Sequence, residues 1–258
     1  MTRFLTVAGT RYEICRYPSG GSGRPVLVFL HEGLGCVKMW QSFPERLAEQ
    51  TGCDAFVFSR SGYGRSDPEP LPWKLNFMHT QAVTVLPKIL AAAGIETYLL
   101  IGHSDGGSIA LIHAGSRHAS PGLTAVITEA AHVFCEPVTL ASIRTARKAY
   151  VTGGLREKLA VYHGDNTDNA FWGWNRVWLN PKFLHWDIQK FLPRIQVPVL
   201  ALQGAEDPYG TKAQLTAIQK KAGHADTRLI PDCGHAPHIQ QPDRVLADMS
   251  AFIRTHLE

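Results

Sequence analysis

The ten residues 98–107 read YLLIGHSDGG, and this stretch carries the strongest structural signal in the chain. The apolar run YLLIG predicts a strand buried on both faces of a sheet. The glycines on either side of Ser104 leave room for a tight turn into a helix. A G-x-S-x-G pattern between a strand and a helix is typical of a nucleophile elbow, a turn that raises a reactive serine above the sheet. Ser104 is therefore the predicted nucleophile.

Apolar runs of the same kind recur along the chain. They predict strands at 3–7, 12–16, 26–30, 55–59, 98–102, 123–128, 197–203 and 228–230. Segments with helical periodicity lie between or after them, at 40–50, 79–94, 106–118, 211–222 and 242–256. Strands that alternate with helices predict an α/β fold with a doubly wound, mostly parallel sheet, and the first two strands form a hairpin.

One stretch, 136–192, contains no buried-strand run and is rich in aromatic residues. It predicts a helical cap inserted into a core domain made of 1–135 and 193–258. We expect Trp172, Trp174 and Trp178 to line a substrate pocket beneath this cap. The alternative is that the aromatic side chains of this stretch only pack the cap onto the core.

The composition excludes several classes of protein. Basic and acidic residues number 26 and 22 and are mixed along the chain, so nothing indicates a nucleic-acid or anionic-membrane partner. No apolar run reaches the roughly 20 residues that span a bilayer. Five scattered cysteines without C-x-x-C spacing, and an N-terminus unlike a signal peptide, predict a cytoplasmic protein with reduced thiols and no metal site. The oligomeric state has no signal in the sequence.

Two further segments bear on the family. Residues 31–35 read HEGLG, similar to an H-G-x-x-G loop, and residues 59–67 read SRSGYGRSD, similar to an R-G-x-G-x-S segment. Together with the elbow they give the chain a resemblance to the α/β-hydrolase family over nearly its whole length. The resemblance implies a small-molecule acyl substrate and chemistry without a cofactor.

In this family the acid and the histidine follow the serine along the chain. Asp207 follows the strand at 197–203, and His235 ends the segment DCGH after the strand at 228–230. The resemblance implies that His235 is the general base and that Asp207 orients its ring. Glu206, next to Asp207, and Glu129, at the end of an earlier strand, are the alternative acids.

An oxyanion needs backbone N–H donors. The family pattern implies one from Asp105, which follows the nucleophile, and one from Gly33, with Leu34 as the alternative. Glu32 stands where the family usually has glycine, so we expect its carboxylate to point away or to pair with a cation such as Arg60. Glu32 and Leu34 are also predicted to border the substrate pocket.

The side chain of Asp105 has two interpretations. As a carboxylate in the first turn of a helix it is favoured by the helix dipole. Alternatively, Asp105, together with Glu32, makes the acyl pocket negative and recognises a substrate ammonium group. Some members of the family that hydrolyse amino-acid esters look similar at this position.

The leading functional hypothesis is hydrolysis of a carboxylic ester, lactone or related acyl compound through an acyl-enzyme on Ser104. One alternative is hydrolysis of a carbon–carbon bond in a ring-cleavage product, because the same fold and residues support both reactions. An alternative of another class is a non-catalytic receptor that uses the pocket to bind a small molecule.

Overall fold

A single mixed sheet organises the fold. The computed structural model describes residues 3–21, 23–117 and 121–257. Within them, the strands are β1 (Arg3–Val7), β2 (Thr10–Tyr17), β3 (Val26–Leu30), β4 (Ala55–Phe58), β5 (Tyr98–His103), β6 (Leu123–Glu129), β7 (Val199–Gly204) and β8 (Ala225–Ile230). Their order across the sheet is β1-β2-β4-β3-β5-β6-β7-β8. The β1–β2 hairpin and the β2–β4 pair are antiparallel, and the remaining neighbours are parallel.

The predicted α/β fold is therefore confirmed. Some strand bounds agree with the prediction and others differ from it. β1 and β3 have the predicted ends. β8 begins at Ala225, three residues before the predicted start, because it lies at the edge of the sheet and only Ile230 in it is buried. A half-exposed edge strand lacks the continuous apolar run that marks the central strands.

Helices cover both faces of the sheet. Those outside the aromatic-rich stretch are α1 (Phe43–Thr51), α2 (Phe77–Thr80), α3 (Leu86–Ala92), α4 (Asp105–Ala114), α8 (Ala213–Lys221), α9 (Pro237–Gln240) and α10 (Pro242–Leu257). Successive strand residues point to opposite faces. Leu99 and Ile101 accordingly share a core with α1 and α10, whereas Leu100 packs with α3 and α4.

Two predicted helices have altered bounds. The segment predicted at 79–94 consists of α2, a π-helical turn at Gln81–Val85 and α3. The helix predicted at 106–118 begins at Asp105 and ends at Ala114, where Gly115 follows, and residue 118 lies outside the described part of the chain.

The aromatic-rich stretch folds into α5 (Pro137–Thr152), α6 (Leu155–His163) and α7 (Thr167–Trp178), followed by 3₁₀ turns at Pro181–His185 and Gln189–Arg194. Tyr150 of α5 stacks on Phe171 of α7 with ring centroids 3.6 Å apart. The division of the chain at 136 and 192 into cap and core stays a prediction. Nowhere in the described ranges is a helix both long and apolar enough to cross a membrane.

Candidate active site

The turn between β5 and α4 holds Ser104 in a strained conformation. Its backbone angles are φ 52° and ψ −115°, a region that side-chain-bearing residues seldom adopt. A Cβ atom on Gly106 would lie 1.9 Å from the carbonyl oxygen of Leu30, and one on Gly102 would lie 2.3 Å from the carbonyl oxygen of Gly106. The flanking glycines therefore permit the close approach of helix and strand that forms the turn, as the sequence predicts.

Three side chains from separate loops meet above this turn. The Nε2 atom of His235 lies 3.0 Å from the Oγ atom of Ser104. The Nδ1 atom of the same ring lies 2.8 and 3.0 Å from the two carboxylate oxygens of Asp207. Because Nδ1 donates to the carboxylate, Nε2 is left as the acceptor for the serine hydroxyl proton.

The surroundings of Asp207 favour its ionised form. Its side chain is fully buried, which opposes ionisation, but the contact with His235 and the N–H of Tyr209 outweigh burial and lower the pKa of this carboxyl. The alternative acids lie elsewhere. Glu206 is exposed, and Glu129 accepts hydrogen bonds from the Nδ1 and backbone N–H of His238, at 2.8 and 3.0 Å.

The two residues predicted to supply oxyanion donors, Asp105 and Gly33, lie near each other. Asp105 is the first residue of α4, so its N–H has no partner within the helix. Gly33 lies beside two side chains: a Cβ atom there would be 3.1 Å from Oδ2 of Asp105 and 2.2 Å from Nε1 of Trp174. Leu34, the alternative donor, is half-buried, and its carbonyl accepts from Nε2 of His163.

The Asp105 carboxyl group is buried beside the serine and is only partly satisfied. Its residue is 1% exposed. Oδ1 accepts a hydrogen bond from the indole N–H of Trp178 at 3.2 Å, whereas Oδ2 has no hydrogen-bond partner among the described residues. Burial raises the pKa of Asp105 to about 6, although Arg60 and the Trp178 N–H act in the opposite direction.

The side chain next to the Glu32 carboxylate is His103, and not Arg60. The Oε2 atom of Glu32 lies 3.5 Å from Nδ1 of His103. Arg60 instead donates to the backbone carbonyl oxygens of His31 and Glu32. Burial opposes ionisation of Glu32, but His103 outweighs it and lowers the pKa of this carboxyl. We expected Glu32 to point away or to pair with a cation such as Arg60. Its partner is His103 and not Arg60, because the Arg60 guanidinium donates to the main chain of the loop.

Three residues near His235 were missed by the sequence analysis. Nε2 of His103 donates to the carbonyl oxygen of His235 at 2.6 Å. The rings of His132 and Tyr209 lie 6.0 and 4.6 Å from the His235 ring. Burial and the neighbouring His235 lower the pKa of His132 to about 3. His103 had a signal, its position inside the G-x-S-x-G pattern, whereas His132 and Tyr209 had none.

The tryptophans of α7 divide between two sides of the helix. Trp174 and Trp178 are buried, four residues apart, and reach Gly33 and Asp105 respectively. Trp172 is half-buried, and the guanidinium groups of Arg147 and Arg176 lie 5.7 and 5.3 Å from its ring. Two residues correspond to about 200° of helical rotation, so Trp172 cannot share the face of Trp174.

Across 3–21, 23–117 and 121–257, no group of three His, Cys, Asp or Glu side chains could hold a metal ion. The five cysteines are free thiols.

Comparison with known proteins supports the fold. A model of the alpha/beta hydrolase family matches residues 27–248. The chain is 25% identical to a 2-succinyl-6-hydroxy-2,4-cyclohexadiene-1-carboxylate synthase of Serratia proteamaculans, over 91% of this chain and 95% of that protein. It is 23% identical to the sn-1-specific diacylglycerol lipase ABHD11 of Danio rerio, over 88% and 78% of the two chains. A thermophilic esterase from Thermogutta terrifontis superposes with a TM-score of 0.76 at 19% identity, covering 100% of both chains.

Proposed function

Since this chain belongs to the alpha/beta hydrolase family, we propose that it hydrolyses a carboxylic ester, lactone or related acyl compound through an acyl-enzyme on Ser104. The observation that carries the proposal is the continuous hydrogen-bonded path from Asp207 through His235 to Ser104, with contacts of 2.8 and 3.0 Å. These distances lie within the reach required for proton transfer from a serine hydroxyl to a histidine base.

In the proposed mechanism His235 takes the Ser104 proton as the oxygen attacks the acyl carbon. Asp207 holds the ring in the required tautomer and stabilises its cation. The N–H groups of Asp105 and Gly33 donate to the oxyanion, and His235 then returns its proton to the leaving group. In a second round His235 activates water, which attacks the acyl carbon and releases the acid from Ser104.

The enclosure of the site supports a small or medium acyl group. Ser104 is only 7% exposed. Trp174 and Trp178 bring two large rings to the neighbourhood of Gly33 and Asp105, and we propose that they cover the acyl group and exclude water. Trp172 does not belong to this proposed pocket because it lies on another side of α7.

Parallel assays of an aryl ester and a vinylogous diketo acid test the reaction type. We expect the wild type to cleave the ester, and Ser104→Ala and His235→Gln to lose at least about 1,000-fold in kcat. Ser250→Ala is the matched control, since this serine bonds to Gln50 far from the site, and it should retain activity. Turnover of the diketo acid alone would favour carbon–carbon bond hydrolysis. Tight binding of an acyl ligand without any turnover would favour a receptor.

A narrower substrate class is favoured by one observation, the unpartnered buried oxygen of Asp105. We propose that an ammonium group on the acyl part of the substrate pairs with this oxygen. An ammonium donor would satisfy an acceptor whose isolation is otherwise costly in free energy. Glu32 is less suited to this role than the sequence suggested, because its carboxylate already faces His103.

A further inference from the structure

His103, the second residue of the G-x-S-x-G pattern, joins the two loops that meet in the site. It is 3% exposed and directly precedes Ser104. One edge of its ring reaches the His235 loop, where Nε2 lies 2.6 Å from the backbone carbonyl oxygen of His235. The other edge reaches the loop after β3, where Nδ1 lies 3.5 Å from Oε2 of Glu32.

These two contacts define the protonation of the ring. A carbonyl oxygen only accepts, so Nε2 of His103 must carry a proton. A neutral ring would then direct the lone pair of Nδ1 at the carboxylate of Glu32, which is repulsive. A ring that is protonated on both nitrogens donates to the carbonyl oxygen through Nε2 and places its positive charge beside the carboxylate, a contact that at 3.5 Å is an ion pair without a hydrogen bond.

The other groups around His103 are consistent with a cation. The carboxylates near it are Glu32, Glu129 and Asp105, and the imidazole rings of His235 and His238 lie 5.2 and 5.1 Å away. Burial lowers the pKa of His103, but Glu32, Glu129 and the His235 carbonyl outweigh burial and raise it to about 9.

We propose that His103 is a positioning residue whose imidazolium, held by Glu32, fixes the backbone of His235 to the turn that carries Ser104. The inference rests on the proposed function, because it assigns His103 a role in aligning His235 with the nucleophile. The same inference assigns a role to Glu32: its carboxylate stabilises the His103 imidazolium at neutral pH and neutralises the positive charge of that ring.

Histidine NMR tests the charge state without any activity assay. In ¹⁵N-histidine-labelled wild type at pH 7.5, one ring that is absent from His103→Gln should be protonated on both nitrogens and should titrate near pH 9. The same ring should be neutral at pH 7.5 in Glu32→Gln. A neutral His103 ring in the wild type at pH 7.5 would overturn the inference.

Kinetics then test the positioning role. We expect His103→Ala to lower kcat about 10–100-fold with little change in KM, because misalignment of reacting groups by about 1 Å costs roughly this much. His103→Gln should recover part of kcat, since its amide can still donate to the His235 carbonyl. His113→Gln is the matched control. His113 is a buried histidine near the C-terminal end of α4 and is hydrogen-bonded to Tyr98 of β5.

The pH profile separates positioning from general stability. His103→Gln removes the partner of the Glu32 carboxylate and leaves its negative charge unbalanced in the site, so the acid limb of kcat/KM should move to higher pH. The Glu32→Gln/His103→Gln double variant should move the limb back. If His103→Ala, His103→Gln and His113→Gln lost kcat equally and the acid limb did not move, His103 would have only a structural role and the inference would be overturned. Failure of Ser104 itself to react with an acylating probe would defeat the proposed function and leave the NMR result standing.

Discussion

At Asp105 a carboxyl group is buried beside the proposed nucleophile with one oxygen unpartnered. Burial raises its pKa from 3.8 in the unfolded chain to about 6. Between these values the folded state binds more protons than the unfolded state, so the free energy of unfolding falls as pH rises from about 4 to about 6. Above pH 6 the ionised carboxyl imposes its full cost on the fold.

Replacement by the neutral isostere should reverse this cost. We expect Asp105→Asn to raise the free energy of unfolding by about 2 kcal/mol at pH 8 and to have little effect at pH 4. Denaturant titrations of both proteins at the two pH values measure the difference. An equal effect at pH 4 and pH 8 would contradict the assignment of the raised pKa to Asp105.

The same residue should determine preference for a charged acyl group. If an ammonium group pairs with the unpartnered oxygen, Asp105→Ala should lower kcat/KM for an amino-acyl ester about 10-fold or more relative to a neutral acyl ester of equal size. The ratio of the two kcat/KM values is the readout, since it cancels any general loss of activity. An unchanged ratio would remove the ammonium proposal and leave ester hydrolysis intact.

At the scale of elements, the turn from β5 into α4 depends on how closely α4 approaches β3. We expect Gly106→Ala to cost about 1–3 kcal/mol, because its Cβ atom would collide with the rigid backbone oxygen of Leu30. Gly223→Ala is the matched control, since a Cβ atom there meets nothing within 4 Å, and it should change stability by less than about 0.5 kcal/mol. Thermal melts compare the two, and equal melting temperatures would contradict the close-approach argument.

How much could be predicted from sequence depended on whether the signal was local. β3 and the strand–turn–helix around Ser104 are encoded by adjacent residues, and the structure has both at the predicted places, whereas the nucleophilic role of Ser104 stays a prediction. His132 and Tyr209 contact His235 because of the order of the strands in the sheet. A local sequence pattern does not predict that order. The aromatic composition of the segment placed Trp172 in one group with Trp174 and Trp178. In the helix, however, the rotation per residue puts Trp172 on a different side of α7.

At the scale of the molecule, the parallel strands bring the candidate residues together. Loops after β3, β5, β7 and β8 contribute Gly33, Ser104, Asp207 and His235 respectively. The carboxyl ends of parallel strands meet at one edge of the sheet, where ligands of open α/β folds bind. Residues up to 202 positions apart thereby converge, so the site requires the part of the sheet from β3 to β8 to be folded.

Thiol reactivity reports on that global fold. Cys15 and Cys135 are partly exposed, whereas Cys36, Cys53 and Cys233 are buried. Burial raises the pKa of the three buried thiols and also that of Cys135. We expect Ellman's reagent to label at most two thiols rapidly in the native protein. All five should react once the protein is unfolded in denaturant. Rapid labelling of three or more native thiols would contradict the packing described.

Intact mass after treatment with a small fluorophosphonate reports whether Ser104 is an activated nucleophile. We predict one adduct on the wild type and none on Ser104→Ala, because His235 lies within 3.0 Å of the serine hydroxyl and accepts its proton. A folded wild type that remains unmodified, or a Ser104→Ala variant that gains the same adduct, would contradict the account.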